Sequence, residues 1–400
     1  MYKHLKERIK QLAESNKSMI IDLRRYIHTN PELSFEEFET AKFIGKTLKD
    51  LHIEVQEGIA NTGLIAIIKG NNPDKQTIAL RADIDALPIQ EQNNVAYKSQ
   101  VKGVMHACGH DVHTASLIGT AKVLHALREE FEGTIKLIFQ PAEEQSPGGA
   151  ISMIREGVLR NPSPTSIIGQ HVSPILPVGQ VGFTKGTVMA STDELYITVK
   201  GKGGHAASPH LAVDPILIAA HLITALQQIV SRNSNPILPV VLSICQIHSG
   251  DATNIIPEEV HLAGTLRTIN EQWRVQAHQK INDLIQGVTQ AMGGTCIVDI
   301  QKGYPSTYND PALTDRVMEV TKEYIGRENV IDMDLNMGGE DFAYYAQQIP
   351  GCFYLIGTKN EAKKIDSFVH TPTFDVDEGV LELGPGLMAW VALNELAAVS

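Results

Sequence analysis

Ile9, Leu12, Ile20, Leu23 and Tyr26 fall near one face of a helix, so the pattern predicts a helical segment at the N-terminus. Phe35, Phe38, Ala41, Ile44 and Leu48 predict a second helix, with Ser34 as its cap and Glu37 completing a capping box. Short, nearly continuous apolar runs follow at 64–68, 77–80 and 134–139, with a helical pattern at 113–129 between them. Strands apolar on both faces, alternating with helices, predict an α/β layer whose sheet is mixed and mostly parallel.

Near residue 184 the texture changes. Residues 193–200 alternate like a half-exposed strand, 214–232 read as a helix, 238–248 and 258–267 as strands, 271–292 as a helix and 295–302 as a strand. That β-α-β-β-α-β order is the ferredoxin-like plan of a compact α+β sandwich. The α/β texture returns with a helix at 311–324, a strand at 352–356 and a helix at 378–397. The economical reading is a small α+β domain, 185–302, inserted into a larger discontinuous one made by 1–184 and 303–400.

The length of 400 residues is more than one ordinary core needs and suits two domains. Net charge is −12, from 34 basic and 46 acidic side chains, and no basic footprint gathers anywhere. This excludes a nucleic-acid partner, whose phosphates demand one. No stretch reaches the roughly 18 apolar residues of a membrane helix, and the first twenty residues mix Lys, Glu, Arg and Gln among the apolar positions. With no signal-peptide pattern either, the expectation is a cytoplasmic protein without a membrane partner. The four cysteines show no framework spacing; Cys245, Cys296 and Cys352 read as reduced, buried thiols.

Cys108 differs. It lies in a segment running from Met105 to His113 that holds His106, His110 and His113 with Asp111, directly before a helix. Thiolate and imidazole suit zinc and neighbouring transition metals, and a thiolate can bridge two ions. Alone, the segment suits equally a helix start capped by Asp111 with solvated histidines. Glu143 and Glu144 follow the strand at 134–139, at the edge where open α/β sheets place ligands. Paired carboxylates repel unless a dication offsets them, and they permit one to bind metal while the other moves protons. Seen alone, the pair suits an exposed acidic helix start. His171, after a short strand at 166–169, and His370 are each ordinary loop histidines in isolation. Together with Cys108, His110 and Glu144 they make five candidate ligands for two ions, with Glu143 left as a base.

Seven stretches carry a family likeness: HTNPELSFEEFET (28–40), LRADIDALPIQE (80–91), MHACGHDVHTA (105–115), FQPAEE (139–144), GKGGHAASPH (201–210), TNIIP (253–257) and MGGEDFA (337–343). In order and spread over most of the chain, they resemble the aminoacylase/carboxypeptidase superfamily of dinuclear metallohydrolases. More closely, they are similar to its amidohydrolase branch, which includes hippurate hydrolases, N-acyl-amino-acid deacylases and auxin-conjugate hydrolases. The resemblance implies a catalytic α/β domain with an inserted ferredoxin-like dimerisation or lid domain. It implies Cys108, His110, Glu144, His171 and His370 as ligands of two divalent ions per subunit, drawn from zinc, manganese, nickel or cobalt. It further implies Glu143 as general base and acid, with Asp85 orienting groups beside the metals. His205 would reach into a partner subunit's site to stabilise the tetrahedral oxyanion, with Asn254 assisting. Arg267 would anchor a substrate carboxylate, and Gly338 and Gly339 would let the backbone approach it. Where other branches carry a His-x-Asp motif and a bridging Asp, this chain has Asp83 and Asp85, and Cys108, which leaves the metal's identity open. The implied substrate is a small N-acyl amino acid, hydrolysed at its amide bond by a homodimer or tetramer. A dipeptidase or carboxypeptidase on the same centre is an alternative, a non-catalytic metal-stabilised binding protein a second, and a cysteine-nucleophile hydrolase a third.

Overall fold

A computed structural model describes residues 2–398. Its first helix, Lys6–Thr29, turns Ile9, Ala13, Ile20 and Ile27 into a core, whereas Tyr26, expected on that face, is exposed. The second helix departs from expectation. It spans Phe38–Asp50, and neither Ser34 nor Glu37 caps it. Phe35 takes a left-handed φ of 66°, which turns the chain away from a helical path. The Ser34 hydroxyl and the Glu37 carboxylate are thereby freed for partners elsewhere.

The chain divides into two compact units. One comprises Met1–Gly186, Tyr308–Asp334 and Asp341–Ser400; the other comprises Thr187–Thr307 and Leu335–Glu340. The larger unit is built on an eight-stranded sheet in the order Glu54–Ile59, Gly63–Lys69, Thr134–Gln140, Thr77–Asp83, Ile167–Pro177, Gly351–Lys359, Val181–Phe183 and Val330–Asp332. Its central strands, from Thr134–Gln140 to Gly351–Lys359, pair parallel, while both flanks carry antiparallel pairs. Strands Thr77–Asp83 and Thr134–Gln140 are buried along their whole length, so both faces are covered. Helices Lys6–Thr29, His110–Ala126 and Val380–Ala398 pack against one another, and the last is apolar nearly all round.

Strand register sets the site's floor. Asp83 pairs with Gln140 at the carboxyl end of the parallel strands. Arg81 pairs with Gly169, two residues short of His171. His171 therefore lies within a strand rather than after one. Pairing with Gly351–Lys359 carries Ile167–Pro177 onward past the end of its other neighbour.

In the smaller unit the β-α-β-β-α-β order forms a four-stranded antiparallel sheet: Val240–His248, Glu259–Thr268, Ser191–Lys200, Thr295–Lys302. Asp214 caps helix Pro215–Gln228 through the Ile216 and Leu217 amides, and Asn270 caps Glu271–Ala291 through Trp273. The first of these helices ends at Gln228, and residues Ile229–Asn233 widen into a π turn. Leu195, Ile197, Val199, Ile218, Leu222, Leu262 and Ile281 form a separate core. Of the cysteines expected to be buried, only Cys352 is; Cys245 is exposed and Cys296 intermediate. Cys245 stands where strand Val240–His248 shifts register, between Ile244 and Gln246.

One buried ion pair binds helix to sheet here. The Arg274 guanidinium lies 2.6 Å from Asp193, and both side chains are fully shielded. Without Arg274, the buried Asp193 side chain keeps His278, 2.6 Å away, as its remaining basic partner and loses the guanidinium that neutralises it from within the core. Arg274→Met should therefore lower stability by about 3 kcal/mol in chemical denaturation; a midpoint equal to wild type would contradict the pair's role.

Candidate metal centre and active site

The segment around Cys108 is built to bring a short loop against a strand. Gly109 holds a φ of 85°, and a Cβ there would meet Val172 Cγ2 at 2.5 Å. Only glycine lets the Cys108–His110 turn approach the strand that carries His171 this closely. Helix His110–Ala126 then begins at His110 itself, with Gly109 at the cap position. Asp111 is no cap: its Oδ2 accepts from Arg24 at 2.6 Å and pairs with His28 at 2.8 Å. Nor are the histidines solvated, since His106, His110 and His113 are all buried.

Glu143 and Glu144 follow strand Thr134–Gln140 in a tight bend, not a helix start, and Glu143 is buried. Asp85 ties this bend to the histidine loop. Its Oδ1 lies 3.1 Å from His110 Nδ1, and its Oδ2 accepts from Ser34 Oγ at 2.6 Å and from the Glu144 amide at 2.9 Å. His370 sits in a left-handed turn with φ 61°, docked by its amide on Ala107 O at 2.7 Å. Its Nε2 lies 3.2 Å from Glu144 Oε1.

Five expected ligands thus converge. Donor atoms of Cys108, His110 and His171 lie within 4.8 Å of one another, and so do those of Cys108, Glu144 and His370. Cys108 belongs to both groups, as a thiolate shared by two ions would. The free atoms point the same way. His110 Nε2 and Glu144 Oε1 are buried without a hydrogen-bond partner, an arrangement that normally costs free energy. His171 donates Nδ1–H to Val172 O at 2.7 Å, which leaves its Nε2 lone pair 3.4 Å from Cys108 Sγ. The donor set fits dications of the zinc and manganese kind.

A further cluster, Asp83 with His110 and His113, has the spacing of a site but not the free atoms. His113 gives Nδ1 to Asp83 at 2.6 Å, and its Nε2 accepts from the Val172 amide at 2.9 Å. It braces the residue next to His171. Sequence reading passed over it because the five-ligand pattern had no place for it. Asp83 is held in turn by Arg81, which also reaches Gln140 and Asp341. Asp341 of the MGGEDFA stretch accepts from the Ala150 amide as well.

Electrostatics match the geometry. Burial pulls His110 down, yet Asp83 and Asp85 overcome it and hold the ring at about 10. The carboxylates around it thus draw positive charge to this spot, which a dication would supply in place of the proton. Burial pushes the Cys108 thiol well above its ordinary value, and Glu144, Glu143 and Asp83 add to the shift. That disfavours a free thiolate nucleophile.

In the smaller unit, His205 lies in a two-residue strand paired with Ile255–Ile256, and the Asn254 carbonyl accepts from the Ala206 amide at 3.0 Å. His205 and Asn254 are neighbours, both exposed. Arg267 is half-buried, its Nε donating to Thr265 Oγ1 at 3.2 Å. A Cβ at Gly339 would meet Thr192 Cγ2 at 2.2 Å and stand 3.5 Å from Arg267 Nη1, so Gly339 is needed for close packing beside that guanidinium. Gly338 is less confined: a Cβ would meet Asn336 Oδ1 at 3.3 Å.

Residues 79–393 match the family described as peptidase family M20/M25/M40. The chain belongs to that family. It is similar to thermostable carboxypeptidase 2 of Saccharolobus solfataricus, with 41% identity over 393 residues covering 98% of each chain. It is also similar to N-acetyl-L-cysteine deacetylase of Bacillus subtilis, 42% identical over 359 residues, 90% of this chain and 84% of that one. A crystal structure of a dinuclear metal-binding M20 peptidase from Bacillus subtilis superposes with a TM-score of 0.81 at 36% identity, covering 96% of this chain and 99% of that one. As a member of the family, the chain is a metal-dependent amide hydrolase. Among the described residues, no helix is long and apolar enough to cross a membrane.

The raised thiol gives a direct check. In metal-free protein at pH 8, a thiol reagent should label exposed Cys245 rapidly and Cys108 slowly, because Cys108 keeps its proton well into alkaline pH. Rapid loss of Cys108 in mass-spectrometric peptide mapping would contradict this electrostatic picture.

Proposed function

We propose that the protein hydrolyses small N-acyl amino acids at the amide bond, using two divalent cations held by Cys108, His110, Glu144, His171 and His370. The observation that carries this reading is the convergence of two buried atoms that lack hydrogen-bond partners, His110 Nε2 and Glu144 Oε1, with Cys108, His171 and His370. When bound there, zinc, manganese, nickel or cobalt would supply Lewis acidity and a more acidic water.

The chain's own groups do the rest. Asp85 holds His110 by its Nδ1, which fixes the tautomer and leaves Nε2 as the donor atom. A carboxylate oxygen of Glu143 takes the proton of the attacking water and later delivers it to the nitrogen of the leaving amine. Water's oxygen ends on the acyl carbon, the C–N bond breaks, and the products are a carboxylic acid and a free amino acid. His205, reaching into a partner subunit's site, donates a hydrogen bond to the tetrahedral oxyanion, with Asn254 beside it. Arg267 grips the substrate carboxylate with its fork of N–H groups, and the small Gly338–Gly339 segment leaves room for it.

In this reading residues 1–184 and 303–400 are the catalytic domain and 185–302 the dimerisation domain. Two features of the smaller unit support a homodimer, alone or paired into a tetramer. Ile216 and Leu217 are exposed on helix Pro215–Gln228, and strand Val240–His248 is a sheet edge.

A carboxypeptidase on the same centre is the second reading, favoured by the 41% identity to the archaeal enzyme of that name. An assay of N-acetyl and N-benzoyl amino acids against dipeptides, with and without added Mn²⁺ or Zn²⁺, separates the two. Chelator-sensitive release from the acylated substrates is expected, and turnover of dipeptides alone would favour the second reading.

The paired glutamates make an asymmetric prediction. Glu143→Gln should retain its metal while kcat falls by about 10²–10⁴-fold. Glu144→Ala should lose metal as well as activity. Equal metal content and equal activity in the two variants would contradict the assignment.

A further inference from the structure

Residues 28–40 supply none of the five ligands, yet their side chains reach the centre from behind. His28 pairs with Asp111, next to His110. Glu32 accepts from the Glu39 and Thr40 amides at the start of helix Phe38–Asp50. Ser34 donates to Asp85.

Glu37 goes furthest. It is fully buried. Its Oε1 accepts from the Phe35 amide at 3.0 Å and from the Ala142 amide at 2.8 Å, while its Oε2 accepts from the Thr62 hydroxyl at 2.6 Å. Ala142 has a φ of 50°, a conformation that residues with a Cβ seldom adopt without support. It directly precedes Glu143. On the far side, the Glu144 amide donates to Asp85 Oδ2 at 2.9 Å. Two carboxylates from separate segments therefore pin the amides at 142 and 144, with Glu143 between them. The Ala142 carbonyl is held too, accepting from the Gly149 amide at 2.9 Å.

We propose that Glu37 is a positioning residue: it locks the strained bend at Ala142 and so aims the Glu143 and Glu144 side chains. The inference rests on the reading of Glu143 as proton carrier and Glu144 as metal ligand. The lock works through the placement of acceptors, not through charge. A single oxygen, Oε1, receives both amides, and Oε2 faces a hydroxyl able to donate or accept. Burial, with Asp85 adding to it, pushes the Glu37 carboxyl up to about 7, and the neutral acid keeps the same three contacts.

Glu37→Gln and Glu37→Asp separate geometry from charge. Glutamine keeps one oxygen for both amides and offers an N–H to Thr62. Aspartate keeps the charge but withdraws both oxygens by a methylene. Each variant is titrated with Co²⁺, whose visible absorption reports the ligands around it, and kcat and KM are measured on an N-acetyl amino acid. Glu37→Gln should bind cobalt and turn over within about twofold of wild type. Glu37→Asp should show wild-type far-UV circular dichroism, cobalt binding about 10–100-fold weaker, and a comparable fall in kcat with little change in KM. Should Glu37→Asp not fold, Glu37→Met, which fills the volume without an acceptor, takes its place with the same expectation. Wild-type cobalt affinity and kcat in the shortened variant overturn the inference alone. A loss in Glu37→Gln as deep as in Glu37→Asp also overturns it, because charge would then be the agent. A wild-type chain that binds no cobalt overturns the reading of the metal centre, and this inference with it.

Discussion

The Asp85 carboxylate is the point at which the larger unit's chemistry is tied together. One oxygen lies against His110 Nδ1; the other takes the Ser34 hydroxyl and the Glu144 amide. Three segments far apart in the chain thus meet on one side chain: the N-terminal motif, the histidine loop and the glutamate bend. A buried carboxylate must be neutralised by such contacts, and Asp85 is held below its ordinary value because His110, Ser34 and the Glu144 amide outweigh its burial. The partners that satisfy it are set in place by doing so. His110 acquires a defined tautomer, and Glu144 acquires a defined backbone.

A second layer of the same logic lies beneath. Arg24 is fully buried and engages Asp111, Asp375 and Glu378, and Asp111 also pairs with His28. His113 spans from Asp83 to the Val172 amide and steadies the strand position beside His171. Carboxylate, imidazole and guanidinium groups alternate through this network up to the centre. There His110 Nε2 and Glu144 Oε1 remain without hydrogen-bond partners. They stand among the ligating groups of Cys108, His171 and His370, and that clustering makes the centre a place for cations.

Much of the architecture was legible because period and length agree for most elements. The nearly continuous apolar runs at 77–80 and 134–139 became central parallel strands, and the alternating 193–200 became a strand with one exposed face. Boundaries set by tertiary contact were not legible. Ser34 and Glu37 have the spacing of a capping box, but Asp85, Thr62 and Ala142 compete for them and win, since a buried partner outweighs a local cap. The strand bearing His171 outran its apolar stretch because pairing with Gly351–Lys359 extends it. Convergence of the five candidate ligands could be expected only from the likeness of the motifs; their spacing in sequence, from 108 to 370, says nothing of proximity. The bracing roles of Glu37 and His113 had no signal beyond their place inside those motifs, and Arg24, which precedes the first of them, had none at all; only the hydrogen-bond geometry separates the three from ordinary buried polar groups.

The central claim is that Cys108, His110, Glu144, His171 and His370 hold two metal ions. Crystals of the purified protein grown with Zn²⁺ or Mn²⁺, with data collected at the metal's absorption edge, test it most directly. The account predicts two anomalous peaks bounded by those five side chains, with Cys108 adjoining both. A single peak, peaks elsewhere, or none at this cluster would contradict it.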